Sequence, residues 1–277
     1  MKIININISI ITLTKNDDKK FLRTLKSINS QKKISNIEWL IIDGSTNKNQ
    51  EFKKEIIKKY FRKKNSKKVF IKHVNSVQKK INGIYPNMNY GKKIARGKFI
   101  IFLNSGDAFY SKYSLYYLYQ NSLDSNPNSS IVFGQANIIA PKNIIWNFPS
   151  NRLRNIHKWI SLFEPNHQSM LISNNLAAKY EFNNKYNIIA DGYWKRKIIN
   201  NSTDIIYIRK PVVKFYLDGV SSIKPSKDFF LDIIKNKNIN FIRKIIFGIK
   251  YIIPSNLFYF YNLLQKYKSL LIDLIIR

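Results

Sequence analysis

Four short runs of nearly continuous apolar residues punctuate the first hundred positions: "ISIITLT" (8–14), "IEWLIID" (37–43), "KVFIKHV" (68–74) and "KFIIFLN" (98–104). Each is rich in β-branched and aromatic residues and too short for a helix, so each predicts a buried strand. The segments between them repeat at helical spacing instead. Asn16 and Asp17 can cap a helix whose apolar positions are Phe21, Leu22, Leu25 and Ile28. A second helix is expected over 50–62, with Phe52, Ile56, Tyr60 and Phe61 on one broad face. A third is expected to start near Pro86 and stop at Gly97. Strands alternating with helices predict a mostly parallel sheet covered by helices on both faces. Beyond residue 110 the order turns mixed: "SSIVFGQANII" and "DIIYIRKPVVKF" predict strands and 190–200 a helix. From about 226 onward, Ile, Leu and aromatics interleave with Lys and Arg and are broken by Pro254. That pattern fits either an interfacial helix pair or ordinary packed helices. No internal repeat or flexible linker is visible.

Length and charge narrow the classes. A chain of 277 residues with 44% hydrophobic positions can build a sizeable core in one large or two small domains. With 48 Lys+Arg against 16 Asp+Glu, the formal charge is +32, which points to anionic partners: phosphorylated small molecules, nucleic acid or an anionic membrane surface. Lys, Asn and Ile are abundant throughout, as AT-rich coding would produce, so part of that charge is compositional. There are no cysteines, which excludes disulfides and thiolate-bound metal and fits a cytoplasmic protein. The N-terminal "MKIININISIITLT" is too interrupted by Asn for a signal peptide, and no apolar run is long enough to span a membrane, so a soluble or peripheral protein is expected.

Chemistry concentrates where strands end. In open parallel sheets, ligands bind outside the carboxyl ends of the strands. The first predicted strand ends in Thr12 and Thr14, the second in "DGST" with Asp43, and the fourth in Asn104-Ser105-Gly106-Asp107. Any one of these fits an ordinary turn, but three on one edge favour a nucleotide or phosphate site. No P-loop and no G-x-G-x-x-G follows a strand. The remaining option is a carboxylate holding a divalent cation, Mg²⁺ or Mn²⁺, against a diphosphate. A nucleic-acid-binding protein would explain the charge but not these acids, and no helix-turn-helix, zinc-finger or RNA-recognition string is present.

The strings "ISIITLTKND", "LKSINSQ", "EWLIIDGST", "GIYPNMNYGKKIARGKFIIFLNSGD", "HQSML" and "ADGYWKRKI" resemble the GT-A type nucleotide-sugar glycosyltransferases, in particular family 2, the inverting bacterial enzymes of surface-polysaccharide synthesis. The resemblance spans roughly residues 6–222. It implies an α/β, GT-A type fold: a Rossmann-like, mostly parallel central sheet flanked by helices, with a mixed acceptor-side region and C-terminal helices. The expected organisation is a transferase domain over 1–225 and a C-terminal helical region over 226–277. Within the first, 1–110 form the nucleotide-binding half and 111–225 the acceptor half.

Residue by residue, the resemblance places Thr12 and Asp43 at the nucleotide base and ribose. Asp107 falls at the last acid of the metal-binding Asp-x-Asp motif. The first acid is replaced, because the segment reads Asn104-Ser105-Gly106-Asp107, so Asp107 is left as the single carboxylate ligand with Ser105 nearby. The family pattern also has Asp where this chain has Asn82 and Pro86. Asn166, His167 and Gln168 match a segment lining the acceptor side, and Gly219–Ser221 a loop near the diphosphate. Asp191 matches the catalytic base, although an acid in the first turn of a helix is also favoured by the macrodipole alone. His167 fits an acceptor contact or a structural role equally. Trp194 fits a sugar-stacking wall or core packing, and Lys92, Lys93 and Arg96 are expected on a solvated helix face.

The implied partners are a nucleotide-sugar donor, a lipid-diphosphate-linked saccharide acceptor in O-antigen, capsule or related polysaccharide synthesis, and the anionic inner face of the cytoplasmic membrane, with no nucleic acid. Three alternatives stay open at this point: a basic nucleic-acid-binding protein, a nucleotidyltransferase, and a non-catalytic relative that only binds nucleotide-sugar.

Overall fold

The computed structural model describes residues 5–61, 69–186 and 190–218, a few positions between 230 and 252, and a helix at 258–275. Gly219–Ser221 and most of 226–257, including Pro254, lie outside the described residues.

The expected alternation is present. Strand β1 (Ile8–Thr14) leads through helix α1 (Asp18–Asn29) to β2 (Ile37–Asp43), then α2 (Asn47–Phe61), β3 (Val69–Asn75), α3 (Ile84–Ile94) and β4 (Phe99–Phe102). The helices α1 and α2 form where the apolar spacing predicted them, and the Asp17 carboxylate caps α1 by accepting from the Lys20 amide. Parallel pairing of β1 with β2 and β4, and of β2 with β3, puts Thr14, Asp43 and Asn75 side by side. Strand-end polar residues are thereby aligned by register alone.

After β4 the chain adds β5 (Ala108–Phe109), α4 (Ser114–Gln120), β6 (Ser130–Ala140), β7 (Ile144–Phe148), α5 (Ile156–Leu162), β8 (Met170–Ser173), α6 (Asn174–Lys179), α7 (Ala190–Asn200), β9 (Asp204–Tyr216) and α8 (Phe258–Ile275). The strand order is β3-β2-β1-β4-β8-β6-β9-β5, with β7 paired on β6. The sheet is therefore parallel on the nucleotide side and mixed beyond β4, where β8 runs antiparallel to both β4 and β6. Pro211, which cannot donate to a ladder, sits in β9 where the register against β6 shifts around Gln135.

Side chains alternate across the sheet, as the pleat requires. Ile10, Trp39, Ile41, Ile101 and Leu103 face a core closed by α1, α2 and α4. Ile11, Leu40, Ile42, Ile100 and Phe102 face a second core closed by α3, α5, α6 and α7. Near-continuous apolar runs are explained by this double burial.

Helix α3 meets expectation at its start and departs from it at its end. It starts at Ile84 behind Gly83, whose φ of 94° ends the preceding turn, so Pro86 lies inside the first turn. It stops at Ile94, three residues before Gly97. Lys92 is also not on a solvated face. It is buried, and its ammonium donates to the carbonyls of Ala177 and Tyr180 while lying over the Phe182 and Trp194 rings. Arg96 is held by Glu38, whose carboxylate takes the Arg96 Nε at 2.6 Å and also bonds Ser9. Among the described residues no helix is long and apolar enough to cross a membrane.

Candidate active site

The carboxyl ends of β1, β2 and β4 open onto a cavity of about 530 Å³, roofed by α3 and closed on the far side by α7 and the end of β9. Asp107 reaches its wall from a turn that Gly106 makes possible: Gly106 has φ of 104°, a conformation that costs an L side chain about 1–2 kcal/mol. The carboxylate is fixed from two directions. Tyr216, at the end of β9, donates its amide to Oδ1 at 2.8 Å. Gln168 donates its side-chain amide to Oδ2 while its own Oε1 accepts the Asn104 amide at 2.9 Å. Burial pushes the Asp107 carboxyl up to about 7; the Tyr216 and Gln168 bonds pull down, the Asp218 charge pushes up, and Arg23 pulls down. A carboxylate held at such cost is one that a cation would stabilise.

Nearby donors fit that reading. Asn104 Oδ1 and Ser105 Oγ are buried without a hydrogen-bond partner, and both residues line the same cavity. Together with Asp107 they form an all-oxygen set of low charge, which suits a hard divalent ion completed by phosphate oxygens. Among the described residues no three His, Cys, Asp or Glu cluster, so these residues supply no full coordination cage. Opposite, Lys20 is 3.7 Å from Asp218 and from Asp17, while Arg23 donates to the Gly106 carbonyl at 2.9 Å and lies 3.8 Å over the Tyr216 ring.

Asp191 occupies the other end. On α7, Ala190, Trp194 and Ile198 face the core at intervals of four, which leaves Asp191 and Lys195 on the adjoining, cavity-lining face. Its Oδ2 is 3.5 Å from His167 Nδ1 and 3.9 Å from Lys195 Nζ, and its Oδ1 accepts from the Tyr85 hydroxyl at 3.3 Å. Burial opposes ionisation, but the His167 bond, the Lys195 and His167 charges and the Tyr85 bond outweigh it and hold the carboxyl well below the usual range. Tyr85 is pushed far above its ordinary value by burial and by the Asp191 charge, so it stays a neutral donor. His167 Nε2 is buried without a partner.

The structure brings Asn104, Ser105, Asp107, His167, Gln168 and Asp191 to one cavity. It does not bring Thr12, Asp43 or Trp194 to that surface. The Thr12 hydroxyl donates to the Leu103 carbonyl at 2.8 Å and accepts from Trp39 Nε1, tying β1 to its two neighbours. Asp43 is fully buried, accepts from the Ser45 amide and His73, and lies 3.6 Å from the buried Lys53 ammonium. Its backbone carbonyl takes the Ser76 amide, so it organises Gly44 and Ser76, which do line the cavity. Trp194 is buried, stacked 4.3 Å from Phe182, with its N–H on the Tyr180 carbonyl.

Tyr85, Lys195, Tyr216 and Asp218 also line the site and escaped the sequence reading. Lys195 carried a signal, four residues after Asp191 on the same helix, and Asp218 obeys the strand-end rule already applied to Asp43. Tyr216 acts through its backbone amide, which leaves no trace in residue type.

Comparison with known proteins agrees with this fold. The profile of Glycosyl transferase family 2 matches residues 9–215. No curated protein matches the chain. Among solved structures, Staphylococcus aureus TarS 1-349 in complex with UDP-GlcNAc superposes with a TM-score of 0.61 at 17% identity, covering 89% of this chain and 72% of that one. The mannosyltransferase PcManGT from Pyrobaculum calidifontis, in complex with GDP-Man and Mn²⁺, gives 0.53 at 12% identity, covering 98% and 74%. At these identities the likeness concerns the fold.

Proposed function

Because the chain belongs to glycosyl transferase family 2 and is thus a nucleotide-sugar glycosyltransferase, we propose that it works by a single inverting displacement, with Asp191 as base and Asp107 at the donor diphosphate. The observation that carries this reading is the Asp191 carboxylate, set by His167, Lys195 and Tyr85 in the same cavity as the anchored Asp107. The acceptor hydroxyl gives its proton to Asp191 as its oxygen bonds to the anomeric carbon. The bond from that carbon to the diphosphate oxygen breaks, and the nucleoside diphosphate leaves with the electron pair. His167 and Lys195 beside the acid favour its charged form, the form that can take the proton. His167 and Lys195 fix its position, and Tyr85 bonds its other oxygen.

Asp107, with Asn104 and Ser105, would hold Mg²⁺ or Mn²⁺, which when bound neutralises charge on the leaving diphosphate. Lys15 and Lys20, also on the cavity wall, add positive charge. Gln168 and the Tyr216 amide keep Asp107 in place. Thr12 and Asp43 act behind the surface, fixing the strand ends on which the nucleotide rests, and Trp194 seats α7 so that Asp191 faces the cavity.

The acceptor we assign is a lipid-diphosphate-linked saccharide of a surface polysaccharide, presented at an anionic membrane surface at the cytoplasmic face. The charge of +32 and the outward-facing Leu264, Tyr267 and Leu271 of α8 support it. The test is donor hydrolysis and binding across a nucleotide-sugar panel that includes UDP-GlcNAc and GDP-Man, with Mn²⁺ or with chelator. Saturable binding and slow hydrolysis of one donor, weakened by chelation and by Asp107→Ala, is expected. A chain that binds no donor under any condition refutes the assignment.

A further inference from the structure

A second cavity, of about 410 Å³, lies beside the first and shares Asn166, Lys195 and Phe215 with it. One wall is aromatic: Trp146 and Phe148 from β7, Phe163 after α5, and Phe215 from β9. The lining also takes a single stripe of α8, where Tyr261, Asn262, Gln265 and Ser269 recur at helical intervals. Ser269 is 95% buried by its 5% exposure, yet its hydroxyl has no hydrogen-bond partner. A buried orphan hydroxyl costs about 1–3 kcal/mol unless something satisfies it. Such a group on a residue that lines a cavity is out of place in plain core packing.

We propose that this second cavity binds the saccharide of the acceptor, at the unit beyond the one that carries the reacting hydroxyl. Three features select a sugar. Its apolar C–H faces pack on aromatic rings, which Trp146, Phe148 and Phe215 supply. Its hydroxyls need neutral donors and acceptors, which Gln265, Asn262 and Ser269 supply. The volume falls within the usual range of small-molecule sites, about 300–1,000 Å³. Continuity through Lys195, four residues from Asp191 on α7, gives the direction: a chain lying in this cavity leads its end to the base. Helix α8 is then the element that reads the acceptor. The assignment rests on the transferase reading above for the word acceptor, but not for saccharide binding itself.

Trp146 provides the reporter. The other three tryptophans, Trp39, Trp159 and Trp194, are buried, whereas Trp146 is partly exposed on the cavity wall. The full chain is titrated with methyl disaccharide glycosides of glucose, galactose, mannose and N-acetylglucosamine while tryptophan emission is followed. At least one is expected to give a saturable blue shift that Trp146→Phe abolishes. Ser269→Phe fills the cavity and is expected to weaken binding at least tenfold. Should that variant fail to fold, Gln265→Ala, which suits a helix, is expected to weaken it at least threefold. No saturable change with any glycoside, or unaltered affinity in these variants, overturns the proposal. Donor hydrolysis is measured on the same preparation. Hydrolysis without saccharide binding refutes the second cavity alone, and saccharide binding without donor hydrolysis refutes the transferase mechanism alone.

Discussion

Lys92 offers a quantitative test of how the support beneath Asp191 is built. Its ammonium is buried between α3 and α6, bonded to the Ala177 and Tyr180 carbonyls, and it lies 5.1 and 5.4 Å from the Phe182 and Trp194 ring centres. Burial pushes its pKa down from 10.5 to about 8, against a smaller upward pull from the Glu181 charge. Between those two values the unfolded chain binds more protons at this position than the folded chain. Stability contributed by Lys92 therefore rises with pH through the window from about 8 to 10.5 and is flat below it. At 1.36 kcal/mol per pH unit, the full rise is on the order of 3 kcal/mol. The assay compares wild type with Lys92→Met, a substitution of similar length without charge, by urea unfolding at pH 7, 8, 9 and 10. The difference in unfolding free energy isolates Lys92 from the many exposed lysines, which cancel. Wild type is expected to gain on the variant by up to about 1.4 kcal/mol per pH unit above pH 8. A difference that stays constant from pH 7 to 10 would refute the reasoning, because it would mean that the ammonium is no worse off folded than unfolded.

Three further outcomes are expected. Asp191→Asn keeps the shape of the site but cannot take a proton, so transfer should fall about 100- to 10,000-fold with donor binding retained, measured by calorimetry and product formation; undiminished transfer would remove Asp191 as base. Gln168→Leu strips a donor from the buried Asp107 and an acceptor from the Asn104 amide, and should cost about 3–5 kcal/mol in chemical denaturation. A loss below 1 kcal/mol would show that the pair is not a real constraint. Gly106→Ala forces a Cβ into the left-handed region and 3.3 Å from Lys20 Cδ, so it should cost about 1–2 kcal/mol and weaken metal-dependent diphosphate binding, with calorimetry as the check.

Much of the fold was legible because the inner nucleotide-side strands β1, β2 and β4 are buried on both faces and each helix on one. Double burial writes an unbroken apolar run, and single burial a helical repeat. The strand-end rule located Asp43 and Asp107 on one edge, and the motif strings pointed to His167, Gln168 and Asp191. Exposure was harder to read. Thr12 and Asp43 look identical in sequence to cavity-lining residues, yet their polar atoms are spent inside the protein, on Leu103, Trp39, His73 and Lys53. Lys92 looks like any surface lysine until α6 closes over it.

By itself the sequence determined strands β1 to β4, β6 and β9, the carboxylates at the ends of β2 and β4 and the Asp17 cap of α1, because those are set by local chemistry and spacing. The short β5, β7 and β8 were not legible. Tertiary structure alone decided which polar groups meet. Thr12 pairs with a carbonyl 91 residues away, Tyr85 with an acid 106 residues away, and Asp107 with an amide 109 residues away. Strand order and register fix such encounters, and a local pattern carries no information about a partner that another strand brings alongside. The second cavity shows the same division. The helical character of 258–275 follows from its composition, but Ser269 and Trp146 line one cavity only because β7 and α8 are neighbours in the fold.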